Sequence, residues 1–234
     1  MDRPYIICHM ACSIDGKIIF DNWGGDIPKE KYSELYNMCH DAYNTQGWIL
    51  GRVSLEKDFS EGIKPELIKP SAPIKREPFV GNRQAQTFAV AIDTRGKLGW
   101  PGNEIGGDHL IAVLAEQVSD EYLAYLQRKS ISYIFAGVNE VDLKLAMAQL
   151  TEIFSIRKIM LEGGGCLNGS FLNDGLIDEI SLLLLPIADG MPKTQTVFEV
   201  SPSLRKNPAA QLQLIKAEQL DNDVLWLKYK INSA

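Results

Sequence analysis

The chain has 234 residues, of which 45% are hydrophobic and 23% charged, so it is long enough to bury a full core in one large domain or two small ones. Its formal net charge of −6 argues against a protein that binds nucleic acid through the phosphate backbone, because such proteins display a basic surface. The charge is compatible with an anionic small ligand, since a few lysines or glycine-lined amides can bind phosphate.

The cysteines and histidines show no metal-binding pattern. The four cysteines, Cys8, Cys12, Cys39 and Cys166, form no Cys-x-x-Cys pair, and the three histidines are scattered. Cys8 and Cys12 lie in or beside an apolar run and are predicted to be buried free thiols. The N-terminus lacks the apolar run of a signal peptide, and no stretch approaches ~20 apolar residues, so we expect a cytoplasmic protein without membrane spans.

The first 51 residues contain two predicted strands and one predicted helix. Tyr5–Ala11 is an apolar run typical of a buried strand, and an Asp-Gly turn follows it. Lys29–Tyr43 is predicted to be a helix, and Gly47–Gly51 is predicted to be a strand closed by glycine. The apolar face of the helix is predicted to consist of Leu35, Met38, Cys39 and Ala42.

From Ser60 to Gln86 the hydrophobic pattern disappears. Four prolines interrupt this segment: Pro65, Pro70, Pro73 and Pro78. It is too long for an ordinary connection, so it is predicted to be either a functional lid or a mobile insertion.

Strands and helices alternate after this segment, which is typical of an α/β sheet with helical crossovers. The predicted strands are Thr87–Ile92, His109–Leu114, Ser132–Ala136 and Lys158–Leu161, and the predicted helices are Asp120–Lys129 and Val141–Phe154. Three strand-like runs without helices between them follow, at Ile180–Pro186, Leu212–Lys216 and Val224–Ile231. They predict an antiparallel edge on a mixed sheet. Without internal repeats, residues 1–234 are expected to form a single domain.

Three consecutive glycines, Gly163, Gly164 and Gly165, lie between the last strand of the alternating region and a predicted helix. Glycines at such a junction let backbone amides approach an anion without obstruction by a Cβ atom, and the helix N-terminus adds positive potential. A dinucleotide pyrophosphate would fit there. The alternative is a flexible or tightly packed turn.

Three motifs resemble those of a known family. The stretch LEGGGCLNGSFLNDGLIDEISLLLLPIADG, from Leu161 to Gly190, resembles the V-E-G-G-G segment of the reductase domain of riboflavin biosynthesis, a relative of dihydrofolate reductase. The stretch HMACSIDGKI resembles the family's M-S-L-D-G-K strand end, and ILGRVSLEKDF resembles its G-R-x-T-x-x-x-D segment, with Ser54 in place of threonine. The motifs keep their family order, and the resemblance covers about Tyr5 to Lys230. The zinc deaminase motifs of fused members are missing, so a stand-alone reductase is expected.

The resemblance implies an α/β, dihydrofolate-reductase-like fold with a mixed, mostly parallel central sheet flanked by helices, and NADPH as cofactor. Arg52 and Arg95 are candidates for binding the 2′-phosphate of NADPH, because a guanidinium pairs bidentately with phosphate. The alternative is that each is a solvated surface cation. The predicted cofactor contacts are Gly51, Arg52, Ser54, Asp58, Asp93, Thr94, Arg95, Gly137, Gly163, Gly164, Gly165 and Cys166.

The same resemblance implies that Ser13, Asp15 and Lys17 flank the substrate, although Asp15 and Lys17 also fit a turn aspartate and a solvent-exposed lysine. Hydride transfer to an imine or aldehyde leaves negative charge unless nitrogen or oxygen is protonated, so an acid is needed. Asp58 is the first candidate for that acid, and Asp15 is the second. Trp48, Trp100 and Trp226 are expected to be packing residues.

The implied reaction is the NADPH-dependent reduction of 5-amino-6-(5-phosphoribosylamino)uracil or of its diamino-pyrimidinone equivalent. One alternative is a paralogue that reduces a pterin, folate or other carbonyl compound, and another is a nucleotide-binding module without turnover. The phosphate of the substrate requires a cation, for which the candidates are Lys17, Arg52, Arg76 and Arg83. The resemblance also implies a homodimer, to which the apolar faces of the C-terminal strands would contribute.

Overall fold

The computed structural model describes residues 2–60 and 62–232. The chain divides into two compact units: the first comprises Met1–Pro4 and Gln46–Ile159, and the second comprises Tyr5–Thr45 and Met160–Ala234. The single domain predicted from the sequence stays a prediction. In the described ranges, no helix has both the length and the apolar character needed to cross a membrane.

Five strands and three helices lie wholly within the described residues of the first unit. They are β2 (Gly47–Gly51), α2 (Arg52–Asp58), β3 (Phe88–Ile92), β4 (Glu104–Ile105), β5 (Asp108–Leu114), α3 (Asp120–Arg128), β6 (Ser132–Phe135) and α4 (Leu143–Phe154). Strands β2, β3, β5 and β6 lie side by side in that order and are all parallel, while the short β4 pairs antiparallel with β5. Helices cross between the parallel strands, as the alternation of the sequence predicts.

The second unit carries the antiparallel edge. Its elements are β1 (Tyr5–Cys12), α1 (Lys29–Asp41), α5 (Gly165–Asn173), β8 (Glu179–Leu184), β9 (Leu212–Gln219) and β10 (Leu225–Ile231). Strand β8 pairs parallel with β1 and antiparallel with β10, and β10 pairs antiparallel with β9. The predicted mixed sheet with an antiparallel C-terminal edge is therefore confirmed. The chain passes from the first unit to the second within β7 (Lys158–Leu161).

The predicted apolar face of α1 is correct in part. Cys39 is buried as predicted and Leu35 is half-buried. Met38 is half exposed and Ala42 lies at the surface, while Tyr32, which the pattern did not include, is buried. The pattern misleads because tyrosines provide much of the packing surface, and an aromatic ring buries a large area despite its polar hydroxyl.

The predictions for the cysteines and tryptophans hold, since Cys8 and Cys12 are buried free thiols and Trp48, Trp100 and Trp226 are at most 9% exposed.

The proline-rich segment is anchored within the first unit by Arg76. Its guanidinium donates hydrogen bonds to the backbone carbonyls of Glu116 (2.8 Å), Val118 (2.9 Å) and Ile74 (2.7 Å), and to the carboxylate of Asp120 (2.5 Å). These contacts use the donors that would bind a phosphate, so Arg76 is a structural clamp and a poor candidate for the substrate phosphate. Whether the rest of the segment acts as a lid stays a prediction.

His9 lies at the centre of a buried series of hydrogen bonds in the second unit. Its Nε2 is 3.1 Å from the backbone carbonyl oxygen of Tyr36, which can only accept, so Nε2 carries the proton. Nδ1 then accepts from the hydroxyl of Ser181 at 2.9 Å, and that hydroxyl accepts from Nε1 of Trp226 at 2.8 Å. This arrangement holds the imidazole neutral, and burial lowers its pKa to about 4.

The His9 arrangement predicts a loss of stability in mild acid. An unfolded histidine has a pKa of about 6.5, so the unfolded chain binds more protons than the folded one as the pH falls from there towards 4. The free energy of unfolding should decrease by about 3 kcal/mol over that interval. Urea denaturation of the wild type and of His9→Gln at several pH values measures this. A wild-type pH dependence as shallow as that of the variant contradicts the prediction.

Candidate active site

In the first unit, the predicted cofactor contacts gather at the carboxyl ends of parallel strands. Gly51 pairs in register with Ile92, so Arg52 and Asp93 both come directly after neighbouring strand ends. Gly137 follows β6 by two residues, at the same edge of the sheet. Open α/β sheets bind their ligands outside the carboxyl ends of their strands, so the placement fits a ligand site.

Asp93 has a structural role at this edge. It is 1% exposed, and its Oδ2 accepts hydrogen bonds from the backbone amides of Lys97 (2.7 Å) and Leu98 (2.9 Å) and from the hydroxyl of Tyr122 (3.1 Å). Burial raises the pKa of its carboxyl. The carboxylate therefore closes the turn through Thr94 and Arg95, and its contact with a cofactor stays a prediction.

Both arginines predicted to bind the 2′-phosphate have glutamate partners. Arg52 donates to Glu56 one helical turn further on at 2.6 Å, and Arg95 lies 3.6 Å from Glu140 on the surface. Such partly exposed pairs contribute little stability, so a phosphate dianion could displace either glutamate.

Ser54 and Asp58 lie four residues apart on α2 and so project from the same side of the helix. Ser54 is half-buried one turn from the strand end, and Asp58 is exposed in the last turn. A carboxylate at a helix C-terminus meets the negative end of the helix dipole, so the dipole does not stabilise the ionised form of Asp58.

In the second unit, Asp15 joins two loops. Its Oδ1 accepts from the hydroxyl of Ser13 (2.7 Å) and the amide of Asp189 (3.0 Å), and its Oδ2 accepts from the amide of Gly190 (2.9 Å). The hydrogen bond from Ser13 is the largest cause that lowers the pKa of Asp15 to about 2, followed by those from the two amides. A carboxyl that remains ionised at neutral pH is a poor proton donor, so Asp15 is better suited to holding these loops together.

The glycine triplet also has a packing role. A Cβ atom on Gly165 would overlap the backbone carbonyl oxygen of Thr196, and one on Gly169 would overlap that of Glu199. Gly163 adopts a φ of +105°, which side chains rarely tolerate. The tightly packed turn considered as an alternative is thus correct for Gly165. Gly164 is the N-cap of α5, and no side chain caps that helix, so the geometry fits an anion at its first turn.

Thr196 connects the predicted substrate loop to the predicted pyrophosphate loop. It forms a β-bridge with Lys17, while its carbonyl lies against Gly165. The ammonium of Lys17 is 3.4 Å from the carbonyl oxygen of Thr194, and the thiol of Cys166 is 3.7 Å from the carboxylate of Glu199.

Sequence reasoning missed the loop from 187 to 199, which supplies these partners. Its Asp-Gly and proline signals indicate turns, but nothing in the sequence assigns those turns to residues 13–17.

Parallel strand ends followed by glycine-rich helix starts define the class of α/β proteins that bind a nucleotide cofactor. The family model of the RibD C-terminal domain matches residues 4–226. The chain therefore belongs to this family of riboflavin-biosynthesis reductases and is an NADPH-dependent oxidoreductase.

Similar proteins agree with this assignment. Two are named 2,5-diamino-6-ribosylamino-4(3H)-pyrimidinone 5′-phosphate reductase. The one from Methanothermobacter thermautotrophicus is 26% identical over 95% of this chain and 96% of its own, and the one from Archaeoglobus fulgidus is 24% identical over 87% and 90%. The structure of RibD from Acinetobacter baumannii matches 98% of this chain with a TM-score of 0.67 at 18% identity, and the match spans 58% of that longer protein. This likeness confirms the dihydrofolate-reductase-like fold.

The glycine triplet yields a paired prediction. Gly164→Val should weaken NADPH binding while the protein folds, because the new side chain stands where amides would meet the pyrophosphate. Gly165→Ala should destabilise folding, since its methyl group overlaps the carbonyl of Thr196. Fluorescence titration with NADPH and a thermal melt measure the two effects. If a folded Gly164→Val variant binds NADPH as tightly as the wild type, the glycine triplet is only a turn and does not bind the pyrophosphate.

Proposed function

We propose that the chain reduces 2,5-diamino-6-ribosylamino-4(3H)-pyrimidinone 5′-phosphate with NADPH. The family match supports this activity, and the names of the two relatives from Methanothermobacter thermautotrophicus and Archaeoglobus fulgidus support this substrate over the uracil form. The observation that carries the proposal is the position of Thr196. This residue borders both the predicted substrate loop at Lys17 and the glycine loop at Gly165. We further propose that the chain acts as one reductase domain in the cytoplasm.

In the proposed reaction the ribosyl ring opens to an imine, and NADPH supplies the hydride that reduces its C1′ carbon to the ribityl product. The imine nitrogen gains one proton, which the protein or solvent must deliver. Asp58 is proposed as the residue that delivers the proton or orients the reacting group. Asp15 is proposed to position the substrate loop, because its hydrogen bonds hold it ionised.

The direct test is NADPH oxidation, followed by absorbance, with the diamino-pyrimidinone phosphate, the uracil analogue and dihydrofolate as separate substrates. The diamino-pyrimidinone phosphate should give the highest kcat/KM. NADPH should also bind more tightly than NADH, because Arg52 or Arg95 would pair with its additional phosphate. Faster turnover of dihydrofolate would favour the alternative of a paralogue that reduces a pterin, folate or other carbonyl compound. Turnover of none of the three substrates would favour a nucleotide-binding module without turnover.

Asp58→Asn should lower turnover by roughly a hundredfold to ten-thousandfold while NADPH affinity stays nearly unchanged. Glu152→Gln is the matched control, since Glu152 is an exposed carboxylate on α4. A steady-state assay and a thermal melt on one preparation measure both effects. Normal turnover with a lowered melting temperature would remove Asp58 from the site and leave solvent as the source of the proton.

We also propose that the protein is a two-fold symmetric dimer that uses β9. Leu212, Leu214 and Ile215 are 43–54% exposed, and they lie on a strand that pairs, among the described residues, with β10 alone. Exposed apolar side chains on an edge strand favour association, because water contact with them is costly.

Light scattering should give about twice the 26.1 kDa chain mass for the wild type. Leu214→Lys combined with Ile215→Lys should give the monomer mass, since two buried charges would prevent the apolar contact. Leu204→Lys is the control, because Leu204 is 68% exposed outside β9. A monomeric wild type, or a dimer that survives the double substitution, contradicts this interface.

A further inference from the structure

A cavity of about 490 Å³ lies in the first unit where α3 ends. Trp100 and Tyr125 form apolar walls, and Lys64, Arg128 and Lys129 line it together with a single carboxylate residue, Glu66. Its volume is within the usual range of roughly 300–1,000 Å³ for small-molecule sites. The lining is rich in positive charge although the whole chain carries −6.

This cavity is separate from the predicted cofactor contacts of the same unit. Those contacts follow the carboxyl ends of β2, β3 and β6. The segment containing Trp100 instead runs back to the start of β5, where the carbonyl of Asn103 accepts from the amide of Leu110. Helix α3 ends at Arg128, shortly before β6 begins at Ser132. The cavity therefore lies at the amino ends of the parallel strands.

Two of the cations have donors to spare. Arg128 donates through Nη2 to the backbone carbonyl of Glu66 at 2.7 Å, and Lys129 donates to the carbonyl of Pro101 at 3.3 Å. Within residues 2–60 and 62–232, neither has a carboxylate in ion-pair range, whereas Lys64 pairs with Glu56. Neutral carbonyls leave the positive charges of Arg128 and Lys129 uncompensated, and most of their N–H groups are available to a ligand.

The walls and the helix end are consistent with an anionic occupant. Trp100 and Tyr125 supply aromatic carbon atoms to the lining, while the cations supply its charge. The C-terminus of α3 contributes roughly half a negative charge. Arg128 and Lys129 carry two full positive charges at that end, which outweigh the dipole.

We propose that this cavity is a second binding site for a small phosphate monoester, separate from the reductase site. The planar fork of Arg128 matches the oxygens of a phosphate, and Lys129 adds a point charge beside it. The aromatic walls accommodate the organic part of the ligand.

Isothermal titration calorimetry with ribose 5-phosphate tests the proposal, with ribose, inorganic phosphate and malonate as comparison ligands. Ribose 5-phosphate should bind the wild type in one event that weakens by about tenfold or more in the variant Arg128→Gln with Lys129→Gln. Inorganic phosphate should bind more weakly, ribose should not bind, and added salt should weaken the binding. Turnover in the reductase assay should be unchanged in this variant. Calorimetry therefore reports on the cavity, and turnover reports on the reductase site.

The matched control is Arg157→Gln with Lys144→Gln, which removes the same charge from exposed positions of the same unit. It should bind ribose 5-phosphate like the wild type. Equal affinity in the cavity variant and the wild type overturns the site, as does an equal loss in the control. Tighter binding of malonate than of ribose 5-phosphate overturns the ligand class.

Discussion

The close approach of the Thr196 carbonyl to Gly165 is the contact on which the second unit's loops depend. It is possible because Gly165 has no side chain, and Gly169 permits the same approach by Glu199 one turn along α5. The side-chain amide of Asn168 then donates to the carbonyl of Val197 at 3.0 Å, which secures the loop on the helix. Because Thr196 also pairs with Lys17, one contact fixes the glycine loop and the predicted substrate loop together.

The carboxylates associated with the predicted site differ in environment, and this difference separates their roles. Asp15 accepts hydrogen bonds from Ser13 and two backbone amides, which stabilise its ionised form. Asp93 is buried and closes a turn, and burial raises its pKa. Asp58 is exposed at the end of α2. Hydrogen bonds from several donors keep a carboxylate ionised and make it a poor proton donor, so Asp15 is better suited to holding its loops together than to delivering a proton.

The local pattern predicted the strands well, since each is a short apolar run bounded by glycine or polar turns. Tyr5–Ala11 became β1, and Val224–Ile231 became β10 with one residue fewer. Prediction failed where packing is decided by distant partners. Met38 fits an apolar helical face by spacing yet is half exposed, whereas Tyr32, which the pattern did not include, is buried beside the correctly predicted Cys39. Arg76 fits a phosphate-binding cation by type, but carbonyls 40 and 42 residues away use its donors.

The sequence by itself determined the fold class, the family and the position of the glycine loop, because hydrophobic period and glycine placement act over a few residues. Only the tertiary structure decided the roles of the two neighbouring glycines. Gly165 packs against the carbonyl of Thr196, whereas Gly164 is the N-cap of α5. It likewise decided that Asp15 is a hydrogen-bonded link, that Arg52 and Arg95 have glutamate partners, and that Arg128 and Lys129 line one cavity. These properties depend on segments that are distant in the chain and meet only on folding, so no local pattern encodes them.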